Sequence, residues 1–438
     1  MRSLRNAVHG LVFIFFCLAV IPLRLSAAET GDYIAIRKEG SGKIAIVLQR
    51  PDAKGKRETG WAQSLDSVIH EDLAFTGLFN ILPAPLNIID TADPKNPTLN
   101  FGALNSVGSE IYAGGSVTRQ SGAVVLDMSV YETLSAKQIL KKTYTGSEEQ
   151  IRSIAQAFCA DLVELLTGKK SVFGTRIAFV SSRTGAKEIY ECDFDGQNIL
   201  QMTSSKSISL TPAYSPDGRY IAWTDFTSGR PNLYIRNRTD NKTVPAGRNG
   251  VSIDPGWKNN SEVATTLSFE GDQEIYLIRL DGSVAQRLTR SRGIDLSPTF
   301  SPDGTKMAFV SSRNGLPQIF VQDLSTGAVK RLTFSGRYNT QPSWSPAGDK
   351  IAYTTWENTS EINIFVIKPD GSGLVKLTSR CRENESPSWS PDGDMIVFTS
   401  NRDGKKKIYV MNASGENQRP LMQMDGEQMQ PSWSLFRK

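Results

Sequence analysis

The C-terminal two-thirds of the chain carry short runs of alternating apolar and polar residues, bounded by glycine, asparagine, aspartate and proline. Such runs predict β-strands rather than helices. A proline followed two residues later by an aromatic residue returns every 43 to 45 residues, a period typical of the blades of a β-propeller. The prolines of this repeat are Pro212, Pro255, Pro298, Pro342, Pro387 and Pro431.

Each repeat continues with a tight turn and further strands. Three copies read Ser-Pro-Asp-Gly after the aromatic residue, where proline fixes φ, aspartate bonds the backbone and glycine accepts a positive φ. A second apolar run begins at Ile177, Ile221, Val263, Met307, Ile351 and Ile396. A third begins at Glu188, Leu233, Ile275, Ile319, Ile364 and Ile408, and a shorter fourth run follows a turn. The repeat therefore predicts four strands per blade.

The repeats are out of phase at the two ends of this segment. Residues 175–204 contain the other strands of a repeat but no proline strand. Residues 430–434 contain a proline strand and no other. An open stack of sheets would leave an unpaired edge at each end, and pairing of the terminal strand with the first sheet removes both edges. The pattern therefore predicts an all-β six-bladed β-propeller over residues 172–438, closed by the C-terminal strand.

Residues 29–168 mix helical and strand patterns. Leu65, Val68, Ile69 and Leu73 recur at helical spacing, and Gly77 ends the run. The elements predicted after this helix are a strand at 79–82, a hairpin of residues 124–130 and 138–145, and a helix from 151 to 166 that a Ser147–Gln150 capping box begins and Gly168 ends. The fold class is therefore two domains, a small N-terminal α/β domain followed by the propeller.

The first 28 residues have the pattern of a signal peptide. Arg2 and Arg5 precede an apolar run at 11–21, and small residues follow it up to Ala28. The run is shorter than the roughly 20 residues that a membrane-spanning helix needs. We expect export to the periplasm with cleavage near Ala28, rather than retention as an anchor. No cysteine lies just after the run, so no lipid anchor is expected.

Charge and rare residues restrict the function. After cleavage the chain has 47 basic and 45 acidic residues, which predicts no steering toward nucleic acid and no direct membrane insertion. His70 is then the single histidine, and no common catalytic or nucleotide-binding motif occurs. We therefore predict a non-enzymatic protein with no catalytic residue, no metal and no cofactor. Of Cys159, Cys192 and Cys381, the last two could pair, although three free thiols are the simpler interpretation.

Candidate binding residues lie in the loops, because the strands of a propeller are committed to packing. The first strand of each blade usually lines the channel, so the residues just before it should surround the mouth. These stretches are 251–254, 293–297, 337–341, 382–386 and 427–430, and they differ between copies as a protein-binding surface would. Ordinary solvated loops are the alternative. The predicted contact residues are Ser252, Asp254, Asp295, Leu296, Tyr338, Asn339, Thr340, Arg382, Glu383, Asn384, Glu385, Gln428 and Met429.

The order and sizes of these parts resemble the TolB family, the periplasmic components of the Tol-Pal envelope system. The resemblance covers the whole chain after the signal segment and rests on the repeated Pro-x-aromatic-Ser-Pro-Asp-Gly pattern and the terminal Pro-Ser-Trp-Ser. It implies a monomer whose mouth loops bind the peptidoglycan-associated lipoprotein (Pal), and conceivably other envelope lipoproteins. It also implies roles in outer-membrane integrity, cell division and protein import.

The resemblance further implies that an N-terminal arm, residues 29–36, reaches the inner-membrane partner TolA. The arm residues concerned are Thr30, Tyr33, Ile34 and Ile36. Their alternation suits addition of a strand to a partner's sheet edge, although a first strand of the chain's own domain fits equally well.

Three departures from the repeat qualify these expectations. Residues 255–261 lack the Ser-Pro-Asp-Gly turn, Ala347 replaces aspartate in another copy, and the chain ends without the family's final proline turn. We expect the blade that contains Pro255 to be locally irregular. Rival functions are a periplasmic propeller enzyme, either a lyase or peptidase-associated, and a glycan-binding propeller.

Overall fold

The computed structural model describes residues 42–90, 98–246, 251–268, 271–358, 360–379 and 383–436. The predicted signal segment and N-terminal arm lie outside these ranges. The first domain contains β1 (Ile44–Leu48), β2 (Asp52–Ala53), α1 (Lys56–Thr76), β3 (Phe79–Leu82), β4 (Ile89–Asp90), β5 (Thr98–Leu99), α2 (Phe101–Ser106), β6 (Ile111–Gln120), β7 (Ala123–Glu132), β8 (Lys137–Gly146), a 3-10 turn (Glu148–Gln150) and α3 (Ile151–Thr167).

A mixed sheet forms the centre of this first domain. Its strand order is β3-β1-β6-β7-β8, in which β1 runs parallel to both neighbours and the β6–β7–β8 hairpins are antiparallel. Helices α1 and α3 pack their apolar sides on one face, with Leu65 and Phe158 fully buried there. Both helices end at a glycine in the left-handed region, Gly77 and Gly168, as predicted. The capping box at Ser147 is also confirmed, although a 3-10 turn precedes α3.

The rest of the described chain forms six four-stranded antiparallel sheets. Blade 1 contains β9 (Arg176–Ser181), β10 (Glu188–Asp193) and β11 (Leu200–Gln201), and blade 2 contains β12 (Ser209–Tyr214), β13 (Tyr220–Asp225), β14 (Asn232–Asn237) and β15 (Thr243–Ala246). Blade 3 contains β16 (Ser252–Trp257), β17 (Glu262–Leu267), β18 (Glu274–Arg279) and β19 (Val284–Arg287), and blade 4 contains β20 (Asp295–Phe300), β21 (Lys306–Ser311), β22 (Gln318–Asp323) and β23 (Val329–Arg331). Blade 5 contains β24 (Tyr338–Trp344), β25 (Ile351–Trp356), β26 (Ile362–Ile367) and β27 (Val375–Lys376), and blade 6 contains β28 (Asn384–Trp389), β29 (Met395–Ser400), β30 (Lys407–Asn412) and β31 (Arg419–Pro420).

The last strand, β32 (Gln428–Trp433), completes blade 1 by pairing antiparallel with β9. The Trp433 indole N–H donates a 2.9 Å hydrogen bond to the Thr175 hydroxyl, and the Arg176 backbone N–H donates one of 2.9 Å to the Ser434 hydroxyl. The Trp433 ring is buried among the residues of blades 1 and 6. The predicted closure by the C-terminal strand is therefore confirmed.

The aromatic residue of the repeat connects neighbouring blades. The Trp257 indole N–H donates to the Ala213 carbonyl at 3.0 Å, and the Trp389 indole N–H donates to the Ser343 carbonyl at 3.1 Å. Both rings are buried between their own sheet and the preceding one. Burial of a large ring between blades explains why this position carries an aromatic residue in each copy.

Blade 3 departs from the repeat at two places. Its first turn is closed by a bond from the Lys258 N–H to the Glu262 carbonyl, one residue shorter than the Ser215-to-Tyr220 bond of blade 2. A register shift also separates Leu277 from its neighbour where β18 pairs with β19. The inner hairpin keeps the register of the other blades, so the predicted irregularity is confined to the turn and the outer strand.

The first domain packs on the turns at one face of blades 1 and 6. Phe75 of α1 and Phe173 both contact the Phe194 ring edge-on, at centroid distances of 5.2 and 5.3 Å. Arg419 donates a 2.7 Å hydrogen bond to the Phe75 carbonyl, and Lys169 lies 3.6 Å from the Asp394 carboxylate. These turns join first to second and third to fourth strands. The loops that precede the first strands therefore open on the opposite face.

A buried polar cluster lies at this domain interface. The Arg152 guanidinium bonds Asp195 at 2.5 Å and lies 3.5 Å from Asp193, both in blade 1. The Asp72 carboxylate of α1 is fully buried 3.7 Å from Arg152, and neither of its oxygens accepts a hydrogen bond among the described residues. Burial raises the pKa of Asp72 to about 7 against the attraction of Arg152, and the charges of Asp195 and Glu71 add to the rise.

Asp72 should make stability fall as pH rises. Because its folded-state pKa is above the unfolded value of about 3.9, the folded protein binds more protons between about pH 4 and pH 7, and the free energy of unfolding decreases across that window. Asp72→Asn should abolish this decrease and be more stable than the wild type at pH 8, by at most about 4 kcal/mol. Urea unfolding of both proteins from pH 4 to 8 measures the difference, and parallel pH profiles would contradict the expectation.

Closure of the ring should dominate the stability of the propeller. Trp433→Ala removes a buried indole from the closing strand and should cost about 3–5 kcal/mol in urea unfolding. Trp356→Ala is the matched control, since its ring is 39% exposed, and it should cost under about 1 kcal/mol. Equal losses in the two variants would show that the closing strand has no special weight.

Candidate functional site

One residue pair from each innermost strand lines the axis of the propeller. Each pair is the proline of the repeat and the residue before it, and the pairs surround a cavity of about 180 Å³. The residues before the prolines are Thr211, Asp254, Ser297, Gln341, Ser386 and Gln430. Each has a positive φ, between 50° and 55°, and each lies at a register shift in its hairpin. A β-bulge of this kind re-aims the strand and brings one polar residue per blade to the axis.

Hydrogen bonds link these axial residues from blade to blade. Gln430 accepts from the Thr211 backbone N–H at 3.0 Å, and the Ser297 hydroxyl donates to the Asp254 carboxylate at 2.8 Å. Burial raises the pKa of Asp254, against this hydrogen bond from Ser297. The polar groups of the axis are therefore largely used to hold the ring together. Sequence reasoning identified Asp254 but missed the ring as a whole, although the position before each repeated proline marks it.

Five of the predicted contact residues are the first or second residue of an inner strand and have fully buried side chains. They are Ser252, Asp295, Asn339, Asn384 and Gln428. Asp295 accepts a 2.8 Å bond from Arg313, and the Gln428 side chain donates to the Gly426 carbonyl at 2.8 Å. These side chains tie strand ends to neighbouring loops and offer little surface to a partner. The prediction of partner contact therefore rests on the residues beside them. The recurrence of a polar residue at this position in every copy was the sequence feature that indicated a structural role.

The remaining predicted residues are distributed between the surface and the interior of the mouth. Leu296, Tyr338, Thr340, Glu383 and Glu385 are partly exposed. Met429 is buried, and Asp254 lies at the axis. Arg382 and the four arm residues lie outside the described residues.

The mouth differs in character around its circumference. The residue just before the buried polar residue at the mouth end of each inner strand is apolar or aromatic in blades 2 to 5 and acidic in blade 6 and at β32. In chain order these residues are Ile208, Val251, Ile294, Tyr338, Glu383 and Glu427. The Lys406 ammonium bonds Glu383 at 3.0 Å and Glu385 at 2.6 Å, so much of the acidic charge is paired within the chain. Blades 2 to 5 therefore present the apolar side of the mouth.

Sequence reasoning missed the second set of loops that reaches this face. The loops between second and third strands also open at the mouth, because the second strand runs antiparallel to the first. They place Trp356 and Leu316 at the mouth, where these residues are 39% and 51% exposed. The Trp356 ring contacts the Tyr338 ring edge-on, at a centroid distance of 5.8 Å. Exposed aromatic residues of this kind are enriched in protein–protein interfaces.

Other chemistry in the described residues is sparse. His70 lies on the surface of the first domain with its Nδ1 atom 2.9 Å from the Asp66 carbonyl. No group of three or more His, Cys, Asp or Glu side chains converges as metal ligands would within the described ranges. Cys192 is a buried free thiol in blade 1, and Cys381 lies outside those ranges. Among the helices that the structure describes, none combines the length and apolar character needed to cross a membrane.

Comparisons with known proteins identify both domains. Residues 163–437 match the model of the TolB β-propeller domain, and residues 32–139 match that of the TolB amino-terminal domain. The chain is 62% identical over 434 residues to the Protein TolB homolog of Chlorobium luteolum, covering 99% of each chain. It is 60% identical to the homolog of Chlorobaculum tepidum, covering 94% of each.

More distant relatives agree with these matches. The Tol-Pal system protein TolB of Desulfosudis oleivorans is 42% identical over 267 residues, which cover 60% of this chain and 61% of that protein. The crystal structure of TolB from Acinetobacter baumannii superposes with a TM-score of 0.77 at 23% identity, covering 90% of this chain and 98% of that one. At that identity the superposition establishes the shared fold.

Proposed function

Because this chain belongs to the TolB family, we propose that it is a non-enzymatic periplasmic scaffold of the Tol-Pal system that links Pal to TolA. The mouth of the propeller binds Pal, and the N-terminal arm binds TolA. The link serves to keep the outer membrane attached and drawn inward during cell division. The observation that carries the proposal is the placement of the mouth on the face opposite the first domain.

Two separate binding surfaces suit a linking protein. The described chain begins at Gly42, in the domain that packs on the turns of blades 1 and 6. A partner that binds the first domain therefore contacts a surface separate from the mouth. Two partners can then bind without competing for the same surface.

The mouth has the composition of a protein-binding surface. Its apolar side combines the partly exposed Tyr338 with the exposed Ile294, Leu316 and Trp356, on loops held by the buried ends of the inner strands. Because those strand ends are fixed by internal hydrogen bonds, the loops are presented in a defined arrangement before a partner arrives. Preorganisation of this kind lowers the entropic cost of association.

Binding of the purified periplasmic domain of Pal tests the first half of the proposal. Calorimetry with the mature chain should show a one-to-one complex. Hydrogen exchange of that complex should protect backbone amides of the mouth loops at 226–231, 312–317 and 357–361. The turns at 215–218, 301–304 and 345–348 on the opposite face are the internal control and should exchange as in the free protein.

Two results would contradict that half of the proposal. One is the absence of a complex with Pal under conditions in which the chain is folded by circular dichroism. The other is protection confined to the opposite face, which would place the lipoprotein on the wrong side of the propeller.

Deletion of residues 29–36 tests the second half. Loss of the arm should weaken binding to the periplasmic domain of TolA at least about tenfold, because strand addition depends on the main chain of the added segment. Binding to Pal and the melting temperature should stay within experimental error of the full chain. A large drop in melting temperature would instead indicate that the arm is a strand of its own domain.

A further inference from the structure

Five apolar or aromatic residues on the mouth of blades 4 and 5 are here called the aromatic arc. Its residues are Ile294, Leu316, Phe334, Tyr338 and Trp356. Phe334 is 74% exposed, in the connection between blades 4 and 5, and Ile294 is 44% exposed. Exposure of four large apolar side chains beside the partly exposed Tyr338 is unfavourable in water unless something covers them.

Backbone hydrogen bonds connect the segments that carry four of the five arc residues. The Ser312 N–H donates to the Ile294 carbonyl at 3.0 Å, which ties the start of blade 4 to the loop that carries Leu316. The next residue of that loop, Pro317, accepts a 3.0 Å bond from the Asn339 N–H, beside Tyr338. Tyr338 in turn pairs with Trp356 across the two strands. The segments that carry Ile294, Leu316, Tyr338 and Trp356 are therefore held to one another by their backbones, and Phe334 lies four residues before Tyr338.

Exposed arginines flank the arc. Arg290 and Arg292 precede Ile294, and the Arg337 side chain lies over the Tyr338 ring at 5.5 Å. No ion pair of these three arginines occurs among the described residues, whereas the nearby Arg313 is bound to the buried Asp295. Three positive charges at the edge of an apolar surface are complementary to carboxylates that flank an apolar segment of a partner.

The mouth of blades 6 and 1 offers a different surface. At the positions equivalent to Ile294 and Tyr338 it has Glu383 and Glu427, and Lys406 already binds Glu383. A partner that contacts the whole rim would therefore gain most of its apolar burial on one side. Interfaces usually concentrate their binding energy in a few aromatic and arginine residues of this kind.

We propose that the aromatic arc is the principal contact of the mouth, and that it receives a partner segment of aromatic or aliphatic side chains flanked by carboxylates. This inference rests on the proposed function, because it specifies which part of the mouth carries the affinity. It adds the chemistry of the partner's contacting segment, which neither the fold nor family membership specifies.

Calorimetry with the periplasmic domain of Pal tests the apolar part. Trp356→Ala and Tyr338→Ala should each weaken binding at least about tenfold, as truncation of a central aromatic contact does. Leu374→Ala is the control, since this residue is 46% exposed near the outer edge of blade 5, and it should bind within twofold of the wild type. Circular dichroism and melting of each variant exclude unfolding as the cause.

Salt dependence tests the charged part. Arg292→Gln combined with Arg337→Gln should weaken binding several-fold at low salt and flatten the dependence of Kd on salt concentration, because screened charge pairs are lost. Lys405→Gln removes one positive charge from an exposed position on the mouth of blade 6 and should leave the salt dependence unchanged.

The outcomes separate this inference from the proposed function. If wild-type chain binds Pal but Trp356→Ala and Tyr338→Ala bind within twofold of it, the aromatic arc is not the principal contact, while the scaffold function stands. Stronger losses in Glu427→Gln than in Trp356→Ala would likewise overturn the inference and move the contact to the acidic side. If folded wild-type chain does not bind Pal at all, the proposed function itself fails.

Discussion

The pairing of the last strand with the first blade is the constraint on which the rest of the propeller depends. Strand β32 gives blade 1 its innermost strand, and Trp433 and Ser434 bond residues at the start of the propeller segment. Without that strand the ring would lack one of six inner strands, and the bond between the axial residues Gln430 and Thr211 would be lost. A single strand at the C-terminus thus determines both the stability of the ring and the shape of its mouth.

Each inner strand divides its residues between two tasks. The residues that open the strand and those before the prolines bond inward, as Asp295 and Gln341 do, and so fix the loops. The residues between and beside them vary from blade to blade and face the opening. This arrangement lets six nearly equivalent blades present an uneven surface, apolar on one side and acidic on the other, without any change in the underlying fold.

Much of the architecture could be predicted from the sequence, because the repeat places the same chemistry at the same strand position in every blade. The Pro-x-aromatic pattern identified the inner strands, and the phase difference between the two ends predicted the closure. The helices were likewise predicted from the helical spacing of Leu65 and its apolar neighbours and from the glycines that end the helices.

The site was less predictable, for physical reasons. Which side chains of the rim are buried depends on bonds to distant loops, such as that from Asn339 to Gln318, and no local pattern reports such bonds. Trp356 was missed because it lies at the end of a second strand, where the hydrophobic pattern alone indicates a core residue. The ion pair of Arg152 with Asp195 of blade 1 depends on domain packing, which the repeat does not encode.

Site-specific photo-cross-linking in the cell envelope tests the central claim most directly, that a closed ring presents one protein-binding face. A photoreactive phenylalanine would replace Leu316 on the mouth, or Asp303 in an exposed turn of the same blade on the opposite face. The account predicts a covalent adduct with Pal from position 316 and none from position 303. An adduct from position 303 with none from position 316 would contradict it.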